Sequence, residues 1–247
     1  MFFVSGATGN VGRNVVAQLV AAGVAVRALT RHPATANLPE SVEVVGGDLL
    51  QPEAFGPALE GITGVFLMTV PGSVEPFLTA AKQHGVRRVV LLSSASVGDD
   101  GAHMNAIGVR HKAVERAIEE SGLEWAFVRP ASFAVNALQW SSQIRAGGVV
   151  RGPYAEATST PIHERDIAAV AVHALLEGGH MRAKYMLTGP ESLTQAEQVR
   201  LIGEAIGRDV QFEEIPVEIA RQTMLQRAPE GVVNSLLDYQ AKSVGHP

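Results

Sequence analysis

Cysteine is missing from all 247 residues, and that absence removes disulfides, thiolate nucleophiles and zinc–cysteine sites together. It fits a reducing compartment. Aromatic residues are scarce as well, 5% of the chain, too few for the stacking platforms that single-stranded nucleic acid requires. Positive charge does not compensate: 20 basic residues face 25 acidic ones, the net charge is −5, and the basic residues are scattered. No nucleic-acid partner is therefore expected. No apolar run reaches the length that crosses a bilayer, and the chain starts on an apolar strand with no charged leader, so a cytoplasmic protein without a membrane partner is expected. No histidine and carboxylate spacing matches a metal site better than chance, and the metal expectation is none. Repeats, low-complexity tracts and an obvious linker are also missing.

What is present begins at the first residues. Phe2-Phe3-Val4 reads as a strand and runs into Gly6-Ala7-Thr8-Gly9-Asn10-Val11-Gly12. Glycines three apart, between a strand and a helix, let the backbone turn tightly and let a pyrophosphate approach the helix N-terminus, where free N–H groups and the positive end of the dipole receive it. Val11, Val15, Val16, Leu19 and Val20 then recur at helical spacing, Gly23 closes the segment, and a second strand follows at 24–29. Strand, glycine turn, helix and strand form the βαβ unit that gives the motif its meaning.

The end of the second strand carries no carboxylate for a ribose 2′-hydroxyl. It reads Thr30-Arg31-His32-Pro33, and a cation there suits the 2′-phosphate of NADP, so NADP(H) is expected over NAD(H). The bland alternative is that Arg31 is a solvated surface arginine.

Strands and helices go on alternating. Strands are expected at 42–45, 65–70, 89–92 and 125–128, and helices at 52–59, 74–84 and 108–121. The apolar run at 65–70 suits a strand buried on both faces of a parallel sheet. After Pro130 the rhythm loosens until about residue 160; a helix at 165–177, a strand at 185–187, a helix at 195–206, a strand at 211–215 and a helical segment from 217 follow. The fold class expected is α/β, a Rossmann-type doubly wound parallel sheet with a small C-terminal α/β substrate-binding subdomain. Residues 1–130 form the nucleotide-binding core, to which later strands return, and residues 131–247 form the smaller region, interleaved with it.

Ligands of such sheets lie at the C-terminal strand ends. Gly6, Thr8, Gly9, Asn10, Val11 and Gly12 are assigned to the pyrophosphate, Asp48 to the adenine amino group and Leu49 to its face, and Thr69 and Ser93 to the ribose and nicotinamide, with Met68 and Pro130 as further cofactor-binding residues at the strand ends. Asp48 capping a turn, and serines making ordinary turn bonds, are the competing readings. Phe133 and Trp140, with Met104, offer an apolar wall for a planar small-molecule substrate, although core packing also accounts for large apolar residues. His103 and Asn105 lie in a loop after the fifth strand that either closes over the cofactor or is simply solvated. His163 and Asp166 are taken as structural residues at a helix start.

As a set, the glycine loop, Arg31, Gly47-Asp48, Ser93-Ser94, Arg129-Pro130 and His163-Glu164-Arg165-Asp166-Ile167-Ala168 resemble the atypical short-chain dehydrogenase/reductases, closest to the NmrA-like group with its type 2 quinone oxidoreductases and azoreductase-like members. The resemblance covers nearly the whole chain and implies an NADP-preferring Rossmann domain with a small substrate domain. It also implies a further helix after Asp238-Tyr239-Gln240-Ala241, so part of the substrate region is expected beyond Pro247. Active dehydrogenases of this kind carry Tyr-x-x-x-Lys in the helix after the fifth strand; here Lys112 fits and Gly108 stands in the tyrosine position. Sugar and alcohol chemistry is thereby disfavoured. Within the same helix, the resemblance suggests His111 as donor to a quinone-type oxygen, with Glu115 one turn on to orient it; a surface histidine paired with a carboxylate is the alternative. His111 and Lys112 are thus the catalytic candidates. The expected function is an NADPH-dependent oxidoreductase acting on a quinone, enone or azo compound, and the alternative is an NADP(H)-binding redox sensor. A homodimer is compatible with the sequence.

Overall fold

The computed structural model describes residues 1–51, 55–98 and 104–245. Contacts divide these residues into a larger unit, Met1–Pro130 with His163–Leu187, and a smaller one, Ala131–Ile162 with Thr188–Pro247.

The larger unit is a sheet of seven parallel strands. In chain order it comprises β1 (Phe2–Val4), α1 (Gly12–Ala21), β2 (Val26–Thr30), β3 (Glu43–Gly46) and β4 (Gly64–Leu67), then α2 (Val74–Gln83), β5 (Arg88–Leu92), α3 (Ala106–Glu120) and β6 (Glu124–Pro130). After an excursion into the smaller unit, α5 (Glu164–Leu176) and β11 (Ala183–Leu187) return to it. The strands lie in the order β11-β6-β5-β4-β1-β2-β3. Every neighbouring pair is parallel. Direction along the sheet therefore reverses at β1 and β4, where a crevice opens at the strand ends. All four residues of β4 are buried, as a run covered by helices on both faces requires.

Its core gathers Phe3, Phe55, Phe77, Phe127, Leu19 and Ile118, each with at most 2% of its surface exposed. Each such side chain contributes about 1.5–3 kcal/mol by leaving water. Phe77 sits between Phe3 and Phe55, with ring centres 6.0 and 5.5 Å away. Of the helix expected at 52–59, residues 52–54 fall outside the described residues, and Pro57–Leu59 forms a single 3₁₀ turn.

The smaller unit holds β7 (Ser132–Phe133), α4 (Ser141–Gly147), β8 (Val149–Gly152), β9 (Thr158–Ser159), β10 (Pro161–Ile162), β12 (Leu193–Thr194), α6 (Gln195–Ile206), β13 (Gln211–Glu214), α7 (Val217–Leu225) and α8 (Glu230–Ser243). The strands form three separate pairs, β10 with β7, β12 with β9 and β13 with β8. A capping box starts α6: Thr194 Oγ1 accepts from the Glu197 N–H while the Glu197 carboxylate accepts from the Thr194 N–H. The helical segment expected from 217 onward is in fact two helices, with Pro229 as the N-cap of the second. A proline lacks the N–H and carries the ring that interior helix positions forbid, but it suits a helix start.

Candidate functional site

The glycine loop is held by its own backbone. Gly6 has φ of +61°, a conformation that glycine adopts without strain, and the Gly9 N–H donates to the Gly6 carbonyl at 2.9 Å. A Cβ on Gly12 would fall 2.1 Å from the Gly6 carbonyl oxygen, so only glycine lets α1 start this close to the turn. No side chain caps α1 and no acidic residue occupies its first turn. The positive helix end is thereby left to an incoming anion. Arg13 braces the loop from outside, its guanidinium donating to the Thr8 carbonyl at 2.7 Å.

The crevice is fastened by Ser5, which follows β1 directly. Its N–H donates to the Phe66 carbonyl, and its hydroxyl accepts from the Met68 N–H at 2.7 Å. That clasp sets Met68 beside the glycine turn, where it touches Gly6. Gly6, Thr8, Gly9, Arg31, Asp48, Leu49 and Met68 line one cavity of about 310 Å³, together with Leu29, Thr30, His32, Gly47, Leu50 and Val70. Arg31 is exposed and has no hydrogen-bond or ion-pair partner among the described residues. Asp48 Oδ1 accepts from the Leu50 N–H at 3.0 Å, the turn-capping role. Leu49 is 7% exposed and belongs to the core, whereas its neighbour Leu50 exposes 57% of its surface; the apolar surface free to cover a flat ring at this corner is therefore that of Leu50. Asn10, Val11 and Gly12 stand at the start of α1, and Thr69 is half-buried between Met68 and Val70.

Along the sheet, the expected roles change. Ser93 is 3% exposed and its hydroxyl donates to Glu115 Oε1 at 2.6 Å, so its proton is engaged within the fold. Glu115, on α3, does not orient His111 as the helix spacing suggested. It is fully buried and takes Arg129 of β6 through two hydrogen bonds, Nε to Oε1 at 2.9 Å and Nη2 to Oε2 at 2.7 Å. A guanidinium buried in an apolar strand requires such a partner, and the fork geometry fits a carboxylate on two atoms. The Pro130 carbonyl accepts from the Ala95 N–H, and Pro130 is buried.

His111 Nδ1 is buried without a partner among the described residues. Burial pushes the imidazole below its usual pKa, Arg110 pushes it further, and Glu115 opposes both. Burial thereby favours the neutral form of the ring. Lys112 is half-buried and has no ion-pair partner among the described residues. Gly108 is fixed by packing: a Cβ there would fall 2.1 Å from the Ser96 carbonyl oxygen. A tyrosine cannot occupy this position while α3 begins where it does. Asn105 caps α3, accepting from the Gly108 N–H at 2.9 Å, and His163 caps α5 through Nδ1. His103 and the rest of the loop at 99–103 lie outside the described residues.

Phe133 and Trp140 do line a common cavity, within the smaller unit, of about 90 Å³. Its wall is less apolar than expected. Trp140 is 7% exposed and packs into the unit's own core with Ile144, Val150, Val199 and Val210, while asparagine, glutamine, serine, threonine and tyrosine supply much of the lining. No group of three metal-ligating side chains occurs among the described residues, and no helix among them is long and apolar enough to cross a membrane.

Sequence reasoning missed Ser5, Arg13, Leu50 and the Ser93–Glu115–Arg129 network. The last left a signal, since Arg129 interrupts the apolar run Ala126-Phe127-Val128 and a buried cation calls for a carboxylate.

A glycine turn at the switch point of a seven-stranded parallel sheet defines a Rossmann-type nucleotide-binding protein. The chain belongs to the NAD(P)H-binding family, whose description matches residues 6–178. It is 39% identical over 241 residues to the (4-alkanoyl-5-oxo-2,5-dihydrofuran-3-yl)methyl phosphate reductase of Streptomyces griseus, covering 96% of this chain and 85% of that protein. To the NAD(P)H azoreductase of Xenophilus azovorans it is 34% identical over 249 residues, covering 98% and 86%. The crystal structure of the NADPH-dependent quinone oxidoreductase of Escherichia coli complexed with NADPH superposes with a TM-score of 0.81 at 21% identity, over 100% of this chain and 95% of that one, a likeness of fold.

Proposed function

We propose that the protein is an NADPH-dependent reductase that delivers hydride to an electron-poor small molecule, a quinone, an enone or an azo compound, without a tyrosine–lysine pair. The observation that carries the cofactor choice is Arg31, a cation on the wall of the nucleotide cavity with no partner among the described residues. A 2′-phosphate supplies what it lacks. The glycine loop and the uncapped start of α1 fit the pyrophosphate, since Gly12 lets the helix begin directly against the Gly6 turn.

When bound, the cofactor supplies hydride. The chain would hold the pyrophosphate at Gly6 to Gly12 and take the adenosine end between Arg31, Asp48 and Leu50, while Glu115 and Arg129 tie the strand ends at Ser93 and Pro130. It offers no phenol in α3 and a neutral imidazole at His111, so strong proton donation is not built in. Acceptors whose electrons are already withdrawn need little of it. The relatives named above support this class: an azo group and an alkanoyl-substituted oxo-dihydrofuran are both electron-poor.

Steady-state oxidation of NADPH against quinones, enones and azo dyes tests the activity. No turnover with any of them, together with tight binding of both NADP forms, would make the protein a nucleotide sensor instead. Arg31→Ala tests the cofactor choice. It should raise the KM for NADPH about 10- to 100-fold, the worth of charge-assisted hydrogen bonds, and leave NADH nearly unchanged; equal losses with both remove the assignment of Arg31.

A further inference from the structure

Among the described residues, one of the six methionines, Met68, stands on the wall of the nucleotide cavity. A methyl group added to Gly6 would fall 2.8 Å from its Cε, 2.9 Å from its Sδ and 3.3 Å from its Cβ, so the side chain lies along the glycine turn. Its N–H donates to the Ser5 hydroxyl at 2.7 Å, and its carbonyl accepts from that hydroxyl at 3.0 Å. With the backbone engaged in this way, the 38% of the residue's surface that is exposed belongs chiefly to the side chain. The sulfur is therefore held at the turn and open to solvent. Since the chain has no cysteine, its thioethers are the sulfur groups left to oxidation.

We propose that Met68 is an oxidation site whose state sets the affinity for the nucleotide, with a hydroperoxide as the oxidant. Sδ attacks one peroxide oxygen, and an S–O bond forms as the O–O bond breaks. The sulfur loses two electrons; the departing hydroxide takes the proton of the transferred oxygen and leaves as water. A flexible apolar side chain thereby becomes a polar, chiral sulfoxide. Its oxygen carries partial negative charge into the region where the uncapped start of α1 favours an anion, so a phosphate arriving there meets a group of its own sign. Because the side chain is already exposed, the added oxygen does not enter the core and the fold survives the change. In turn, a nucleotide in the cavity covers Sδ. The inference rests on the placement of the nucleotide proposed above and needs no hydride transfer.

The full chain is treated with hydrogen peroxide, with and without NADP+, and each methionine is followed by peptide mass spectrometry. NADP+ at about 100 times its Kd should slow the oxidation of Met68 about tenfold or more and leave Met181 and Met186, 56% and 55% exposed and off the cavity, within about twofold. Once the peroxide is removed, the oxidised protein should bind NADP+ about 10- to 100-fold more weakly by calorimetry. Met68→Leu keeps an apolar side chain without sulfur, and its affinities before and after peroxide should agree within about twofold. Met181→Leu with Met186→Leu should lose as much affinity as the unaltered chain. Unchanged affinity after Met68 is oxidised, or an equal loss in Met68→Leu, overturns the proposal, and the first needs no variant. If bound NADP+ shields Met68 and oxidation leaves its affinity unchanged, the nucleotide stays where it is placed and this inference alone falls. If NADP+ does not bind, or binds and leaves Met68 unshielded, the placement and the inference fall together. Turnover of NADPH enters neither readout, so loss of the reductase reading leaves the oxidation site standing.

Discussion

The two cavities are built from different parts of the chain. The nucleotide cavity of the larger unit is shaped by backbone: a glycine turn with positive φ, an uncapped helix start, and Ser5 fastening one strand end to the next. Side chains build the cavity of the smaller unit, a relay of amides in which Gln195 orients Gln240. Atoms added to the first should break it, and atoms removed from the second should break it. The larger unit supplies two probes of that statement.

The largest effect is expected where the larger unit departs from its backbone rule, at the buried Glu115–Arg129 pair. Glu115→Gln leaves a guanidinium out of water without its counter-charge, which should lower the stability of the nucleotide-free protein by about 3–5 kcal/mol in urea unfolding. Replacing both partners, Glu115→Leu with Arg129→Met, should return a substantial part of that loss, because a buried pair and a well-packed apolar pair are nearly equivalent. If the single change costs no more than an exposed ion pair, about 0–1 kcal/mol, the network does not hold the strand ends and Ser93 needs another role.

Next in size is the addition of one methyl group. Gly12→Ala sets a Cβ against backbone atoms at 2.1 and 2.7 Å, and backbone cannot rotate away as a flexible side chain can. An overpacking cost of about 1–3 kcal/mol, taken from cofactor binding, weakens NADPH up to about 100-fold in a fluorescence titration. Gly9→Ala meets the Gly6 carbonyl oxygen at 3.2 Å and should weaken NADPH far less. Equal effects at the two glycines would mean that crowding does not shape the loop.

The same contrast decides how much could be read in advance. Glycine spacing and strand–helix alternation are local, so the seven parallel strands, the turn at 6–12 and the cation at Arg31 were all legible in the sequence. Two-residue strands such as β7, β9, β10 and β12 have no period to detect, and the stretch from 131 to about 160 read only as irregular. The i, i+4 rule paired His111 with Glu115 because both lie on α3; the fold gave Glu115 to Arg129, 14 residues away on another element, and to Ser93, 22 residues away. The Gln195–Gln240 bond spans 45 residues. Side-chain networks of that kind depend on which elements the fold brings together, and the chain's local pattern does not record it.

His111 gives the smallest of these effects, and its sign is fixed by burial. Desolvation and Arg110 hold the folded ring below its ordinary pKa of 6.5. Between the folded and unfolded values the unfolded chain binds more protons, so stability rises with pH through that window and falls as the solution is acidified below about pH 6.5. His111→Leu removes the titration and supplies a side chain that needs no partner for the orphaned Nδ1. Denaturant midpoints measured from pH 8 down to pH 5 should therefore fall less steeply for the variant than for the unaltered chain, and parallel curves would place His111 in solvent. In that case the imidazole would again be free to charge near neutrality, and the expectation that it donates a proton to a bound acceptor would regain its physical basis.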